Sequence, residues 1–269
     1  MKKLSNKIDS YLIKNQLKKR KKIITLDVSI GNYNQFIDQI IQYSENRESS
    51  YVCVSNVHMC IETYFDPNFA KEVNSANLVT PDGMPLAKAI RLIYGIKQDR
   101  VAGMDLMPDL IKKAEEKNLG VYFYGGTSEM VMKTKSFISM NYSKLKETHY
   151  YSPPFRELSE NEEFEIVKMI NDSGANILFV ALGCPKQEKW MASMKGKINA
   201  CMIGIGGALP VLIEMQKRAP MWMQKMSLEW VYRLMQEPRR LFRRYFVTNT
   251  LFIFLFVKQW FLIKILKKH

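Results

Sequence analysis

Five short apolar runs in this chain each close on a glycine or polar turn, and each turn leads toward a stretch of helical spacing. They are Tyr51-Val52-Cys53-Val54 before Ser55-Asn56, Asn77-Leu78-Val79-Thr80 before Pro81-Asp82-Gly83, and Gly120–Tyr124 before Gly125-Gly126-Thr127. Ala175–Leu182 before Gly183-Cys184-Pro185-Lys186-Gln187 and Cys201-Met202-Ile203 before Gly204-Ile205-Gly206-Gly207 complete the set. Runs of this length read as buried strands, and strands joined through helices pair in parallel. The pattern therefore predicts an α/β unit: a mostly parallel, Rossmann-like sheet with helices on both faces. Ile23–Val28 reads as the first strand of the domain. Helices are predicted over Asn34–Tyr43, around Met59–Phe65 and Asn68–Asn74, over Met84–Ile93 and Asp105–Asn118, and from Ser128. A last one, Ser159–Ser173, opens on the capping-box pair Ser159 and Glu162.

Charge divides the chain. The net charge is +14, yet residues 23–214 carry nineteen basic against twenty-three acidic side chains. The excess lies at the ends: nine basic and one acidic residue in 1–22, twelve and two in 215–269. This predicts a basic N-terminal arm at 1–22, helical or disordered, an α/β core at 23–214, and a C-terminal appendage at 215–269. In the appendage Arg239, Arg240, Arg243 and Arg244 alternate with Leu241, Phe242, Tyr245 and Phe246, and an apolar stretch follows. Cations interleaved with Leu, Ile, Phe and Trp suit an anionic membrane surface better than nucleic acid, which is not expected as a partner. The longest uncharged run, Tyr245–Val257, falls short of the ~20 residues a span requires, so a monotopic attachment is expected. Two other uses of the apolar tail stay open: packing of Phe252, Phe254 and Phe256 on the domain, and burial against a second copy of the chain.

Several classes are disfavoured. No apolar segment of signal-peptide type follows the charged first residues, so a cytoplasmic location is expected. Four cysteines without CxxC spacing and three histidines argue against a disulfide framework and a zinc site. There is no Walker loop and no GxGxxG at the first strand, which disfavours a dinucleotide site. No two aspartates stand two positions apart, which excludes nucleotide-sugar enzymes that hold a divalent ion by a DxD motif.

In open α/β sheets ligands gather past the carboxyl ends of the strands. Bare backbone N–H groups in glycine turns at helix starts favour an anion there. Asp82 is the candidate general base, with an N-cap for the following helix as its alternative role. Arg100, Gln187 and His58 are polar candidates on neighbouring loops, each with a structural alternative. With no metal expected, leaving-group charge would fall to arginines or helix dipoles.

Taken in order, Val79–Leu86, Arg100–Leu106, Phe123–Gly126, Leu182–Glu188, Arg218-Ala219-Pro220 and Leu228–Arg240 strongly resemble the WecG/TagA/CpsF glycosyltransferases, glycosyltransferase family 26, over roughly residues 23 to 247. The resemblance implies an inverting, metal-independent transferase without cofactor. It would move a sugar from a UDP-sugar donor to a sugar carried on a polyprenyl diphosphate, peripherally, at the cytoplasmic face of the bacterial inner membrane. It implies Asp82 as general base and Arg100 and Gln187 in substrate handling. Asn56, Gly125, Gly126, Gly183, Cys184, Gln187, Gly204 and Gly206 would bind the nucleotide, with Arg233, Arg240 and Arg243 or neighbours closing over it. The chain departs from the pattern at Leu209-Pro210, where many members have Phe-Asp. It departs again at Ser55-Asn56-Val57-His58-Met59, which favours the exopolysaccharide branch over teichoic-acid enzymes. A membrane-recruited scaffold without catalysis is the rival reading.

Overall fold

The computed structural model describes residues 17, 19–145, 147–226 and 228–267. Most of the expected 1–22 arm thus lies outside the described residues. Its last three residues belong to β1 (Arg20–Ile23), which pairs antiparallel with β2 (Leu26–Ser29). The expected single strand at 23–28 is therefore a hairpin. The chain reverses at Ile24, which takes a left-handed φ of 59°, and the hairpin stands as its own two-stranded sheet.

After α1 (Tyr33–Glu45) come β3 (Ser50–Ser55), α2 (Val57–Phe65), α3 (Pro67–Asn74), β4 (Leu78–Pro81), α4 (Met84–Tyr94) and α5 (Gly103–Lys117). Next are β5 (Val121–Gly125), α6 (Ser128–Asn141), β6 (Thr148–Tyr151), α7 (Glu160–Asp172), β7 (Ile177–Ala181), α8 (Lys186–Met194) and β8 (Cys201–Gly204). Ser159 caps α7 in the reciprocal arrangement expected with Glu162. The six strands β3–β8 form one all-parallel sheet in the order β4-β3-β8-β7-β5-β6. Alternate residues of each strand feed two cores. Tyr51, Cys53, Tyr122, Leu178 and Met202 face one, and Val52, Val54, Phe123, Phe179 and Ile203 the other.

Strand β6 has no buried residue and is held by side-chain stacking across its register. Tyr122 lies against His149, Phe123 against Tyr150 and Tyr124 against Tyr151, with ring centroids 5.3–6.1 Å apart. Such cross-strand aromatic pairs stabilise an edge that burial alone would not.

Past β8 a 3-10 turn (Gly206–Ala208) leads through α9 (Leu209–Leu212), α10 (Met221–Lys225) and α11 (Glu229–Gln236) to the 27-residue α12 (Pro238–Lys264). Helix α12 is long and apolar enough to cross a membrane by length and composition. It docks along α2 and α4. Leu241, Thr248, Phe252 and Leu255 are buried, and the latter two join the core. Near its far end the Gln259 side chain accepts from the Ile24 N–H (2.9 Å) and donates to the Lys22 carbonyl (3.0 Å), fastening the helix to the hairpin. The outer face stays apolar and open, with Phe246 and Phe254 about two-thirds exposed at 67% and 65%. The packing expected of Phe252, Phe254 and Phe256 therefore holds for Phe252 and in part for Phe256, whereas Phe254 faces outward, because one side of the helix is turned away from α2 and α4.

Candidate active site

A cleft of about 280 Å³ opens at the carboxyl ends of β4, β3 and β8, roofed by α11 and α12. Ligand crevices of open sheets form where neighbouring strands send their connections to opposite sides. Here β3 leads away to β4 on one flank, while β8 arrives from β7 on the other. The cleft gathers Asn56, His58, Asp82, Arg100, Cys184, Gln187, Gly204, Gly206, Arg233 and Arg240 from widely separated stretches of chain.

Asp82 follows β4 directly, and its N–H donates to the Ser55 carbonyl across the strand pair (2.8 Å). It does not cap α4, whose N-cap is Gly83. Its carboxylate instead accepts from the Gly103 N–H (3.0 Å) at the first turn of α5, where Ala102 offers no side-chain cap. Burial in the cleft pushes the Asp82 carboxyl up to about 6. The Arg233 charge opposes the rise, Glu229 adds to it, and the Gly103 bond and Arg100 oppose it. A carboxyl so placed is ionised at neutral pH yet basic enough to take a proton from a hydroxyl.

Arg100 is held beside Asp82 because the Val101 N–H donates to the Pro81 carbonyl (2.9 Å). Its guanidinium is already occupied. It binds Asp105 (2.8 Å), Glu229 (2.9 Å) and Gln224 (3.2 Å), and Arg218 takes the other oxygen of Asp105. Arg100 therefore works as a latch between the core and α10–α11. The substrate contact expected of it would require breaking those ion pairs.

Gln187 is buried at the start of α8. Its Oε1 accepts from the Gly183 N–H (3.1 Å) and its Nε2 donates to Glu188 Oε1 (2.7 Å). Gly183 thus shapes the turn that holds Gln187 and is absent from the cleft lining. A Cβ at 204 would lie 2.8 Å from Gln187 Nε2 and from the Met191 methyl, so glycine there lets both side chains close over the end of β8. Glu188 is fully buried, which pushes its carboxyl up to about 7 against the bonds from Gln187, its own backbone and Cys184. Burial, then the Glu188 carboxylate, pushes the Cys184 thiol well above its ordinary range, so Cys184 lines the cleft as a protonated thiol.

Asn56 caps α2, accepting from the Met59 N–H (3.2 Å). Arg233 reaches over the end of β8, where its Nη1 comes within 3.5 Å of a Cβ built on Gly207, and its Nη2 lies 3.7 Å from Met104 Sδ. Arg233 and Arg244 have no carboxylate partner among the described residues. Arg240 is paired with Glu237. Unpaired guanidinium groups beside bare glycine backbone make an anion site.

Besides Gly183, three expected positions fall elsewhere. Gly125 and Gly126 end β5, which is separated from β8 by β7, and neither lines the cleft. Gly125 packs on the next strand: at φ 111° its Cβ would sit 2.6 Å from the Ala181 carbonyl oxygen. Gly125→Ala is accordingly expected to cost about 2 kcal/mol or more, seen as a melting temperature lower by several degrees. An unchanged melt would remove this packing role. Arg243 is exposed on the outer side of α12, and its neighbour Arg244 lines the cleft in its place. Arg244 enters the sequence reading of the site only as a neighbour of Arg243, and Glu229, in the cleft, and Glu188, which holds Gln187, not at all. The signal for Arg244 was helical phase, since Leu241, Thr248 and Phe252 mark the inner face and 244 shares it while 243 does not. Among the described residues no group of three or more His, Cys, Asp or Glu could hold a metal ion.

Residues 21–265 match the profile of the glycosyl transferase WecG/TagA/CpsF family, which extends the expected resemblance into most of α12. An N-acetylglucosaminyldiphosphoundecaprenol N-acetyl-beta-D-mannosaminyltransferase of Bacillus subtilis (strain 168) is 29% identical over 212 residues, covering 78% of this chain and 81% of that protein. Enzymes of the same name from Bacillus spizizenii and Staphylococcus aureus (strain MW2) are 27% and 25% identical. These alignments cover 82% of this chain in both cases, and 84% and 86% of the relatives. These names speak of N-acetylmannosaminyl transfer. They lend no support to the exopolysaccharide branch expected from the Ser55–Met59 loop.

Proposed function

The chain belongs to the WecG/TagA/CpsF glycosyl transferase family and is a hexosyltransferase, and from that premise we propose that it moves a hexose or N-acetylhexosamine from a UDP-sugar to a sugar carried on a polyprenyl diphosphate. N-acetylmannosamine onto N-acetylglucosaminyl-diphosphoundecaprenol is the favoured pair, since the relatives carry that reaction in their names. The observation that carries the reading is the juxtaposition of Asp82, raised to about 6, with Arg233, a guanidinium that has no carboxylate partner, in one cleft. Asp82 accepts the proton of the acceptor hydroxyl as its oxygen attacks the anomeric carbon. The bond to UDP breaks on the opposite face, giving inversion. Arg233 and the backbone of Gly206 and Gly207 neutralise the departing diphosphate, a task for which no metal is required in this scheme. Gln187, fixed by Glu188 and Gly183, holds one rim of the donor site. A scaffold without catalysis would leave the perturbed carboxyl and the unpaired arginine without purpose.

The test is UDP release on mixing candidate UDP-sugars with a short-chain prenyl diphosphate-linked N-acetylglucosamine. Release that depends on both substrates is expected; none with any pair would sink the reading.

We propose further that the exposed face of α12 lies in the cytoplasmic leaflet, monotopically, because its inner face is committed to α2 and α4. Burying a phenylalanine side chain contributes about 1.5–3 kcal/mol. Changing Phe246 and Phe254 together to Ser should weaken sedimentation with anionic liposomes at least about tenfold, with turnover of water-soluble substrates retained. Undiminished sedimentation would move the anchor elsewhere.

A further inference from the structure

We infer that Arg244 and His58 form a second diphosphate subsite within the cleft, one that grips the diphosphate of the prenyl-linked acceptor. This rests on the glycosyl-transfer reading above, and it separates the roles of two arginines on the C-terminal appendage.

Arg244 lies on the inner side of α12, where that helix packs on α2, and His58 is the second residue of α2. Both line the cleft with Asn56 and Asn249. His58 Nδ1 and Arg244 Nε have no solvent-exposed surface and no hydrogen-bond partner. The carboxylate nearest His58 is Glu62, one turn further along α2 and 3.5 Å from Nδ1. Arg244 pairs with no carboxylate among the described residues, and its guanidinium stands 5.3 Å from the centre of the Tyr245 ring. A partly buried cation without a counter-ion is unfavourable until an anion arrives. Burial, and then the Arg244 charge, lowers the His58 imidazole to about 4. The ring is therefore neutral at pH 7 and presents one N–H as a donor.

This pair is separate from Arg233. Arg233 lies over Gly207 and Met104, beyond the end of β8, whereas His58 follows the end of β3. Transfer from a nucleotide sugar to a prenyl-linked sugar brings two diphosphates together, and the cleft offers one unpaired guanidinium near each of two adjacent strand ends. The surroundings assign them. Helix α12 is apolar on its outer side from Phe246 through Val247, Ile253 and Phe254, all exposed. A prenyl chain leaving a diphosphate at Arg244 would find this surface along the same helix. A uridine has no counterpart for it there, while the glycine turn at 204–207 lies beside Arg233.

The test measures binding of two probes, farnesyl diphosphate and UDP, by calorimetry on the full chain. Arg244→Ala should weaken farnesyl diphosphate about tenfold or more and UDP less than about twofold. Arg233→Ala should do the reverse. His58→Asn, which leaves α12 untouched, should weaken farnesyl diphosphate alone by about threefold, and Arg244→Lys should restore part of the loss. The inference is overturned if Arg244→Ala weakens UDP as much as farnesyl diphosphate, or if it and His58→Asn leave both unchanged. Wild-type protein that binds farnesyl diphosphate through Arg244 yet transfers no sugar would count against the glycosyl-transfer reading instead.

Discussion

Asp82→Asn is expected to lower kcat by at least about a hundredfold, within the 10²–10⁴ range of general-base assistance, while UDP still binds. The amide keeps the shape of the side chain and can still accept from the Gly103 N–H, so the first turn of α5 stays in place. What it loses is the capacity to take a proton. The wild-type pH profile supplies a second check. With the carboxyl raised to about 6, the basic form is lost as pH falls through that value. The kcat/KM of the wild type should therefore decline below about pH 6, and the residual activity of the variant should lack that limb. Its folding stability should move the other way. The raised value means that the neutral form is favoured in the folded state, so this contribution is complete below the ordinary carboxylate range and is lost as pH rises through about 6. Near-wild-type turnover in Asp82→Asn would reject the base assignment.

Arg233→Ala should cost about 10²–10³ in kcat, the scale seen when a preorganised donor to developing charge is removed. Arg233 is the guanidinium closest to the bare backbone at 206–207, and its own partner is a thioether. Little fold stability should be lost with it. The same change also removes the largest influence that favours ionised Asp82, so the acid limb of the remaining activity should shift to higher pH. A variant with normal turnover and an unshifted limb would place the leaving-group charge elsewhere. Arg100→Ala makes an informative contrast. Its bonds to Glu229 and Gln224 hold the appendage, so its loss should act through the seating of α10 and α11 as well as through chemistry.

The central sheet was legible because β3, β4, β5 and β8 are unbroken buried runs and β7 nearly so, each stopping at a turn signal. The hairpin was hidden because its turn, Ile24-Thr25, holds no Gly, Pro, Asn or Asp, and a β-branched residue at positive φ is a choice no local preference would make. Strand β6 escaped because its stability comes from partners on β5, far away in sequence. At the site, the strand-end rule gathered Asn56, Asp82, Gln187, Gly204 and Gly206. It also swept in Gly125 and Gly126, since strand order across a sheet is a non-local fact. The confusion of Arg243 with Arg244 was one residue of helical phase, unreadable until the first turn of α12 was anchored. The role of Arg100 depended on Glu229 and Gln224, more than a hundred residues downstream.

The last helix contributes at once to the hydrophobic interior and to the wall of the cleft. During synthesis, the sheet can assemble while α2 and α4 still await their cover and the reaction chamber lacks a side. The cleft is thus incomplete until the turns from Leu241 to Asn249 emerge and settle. Loss of those turns by proteolysis or an early stop would leave a sticky, silent remnant instead of a weakened enzyme.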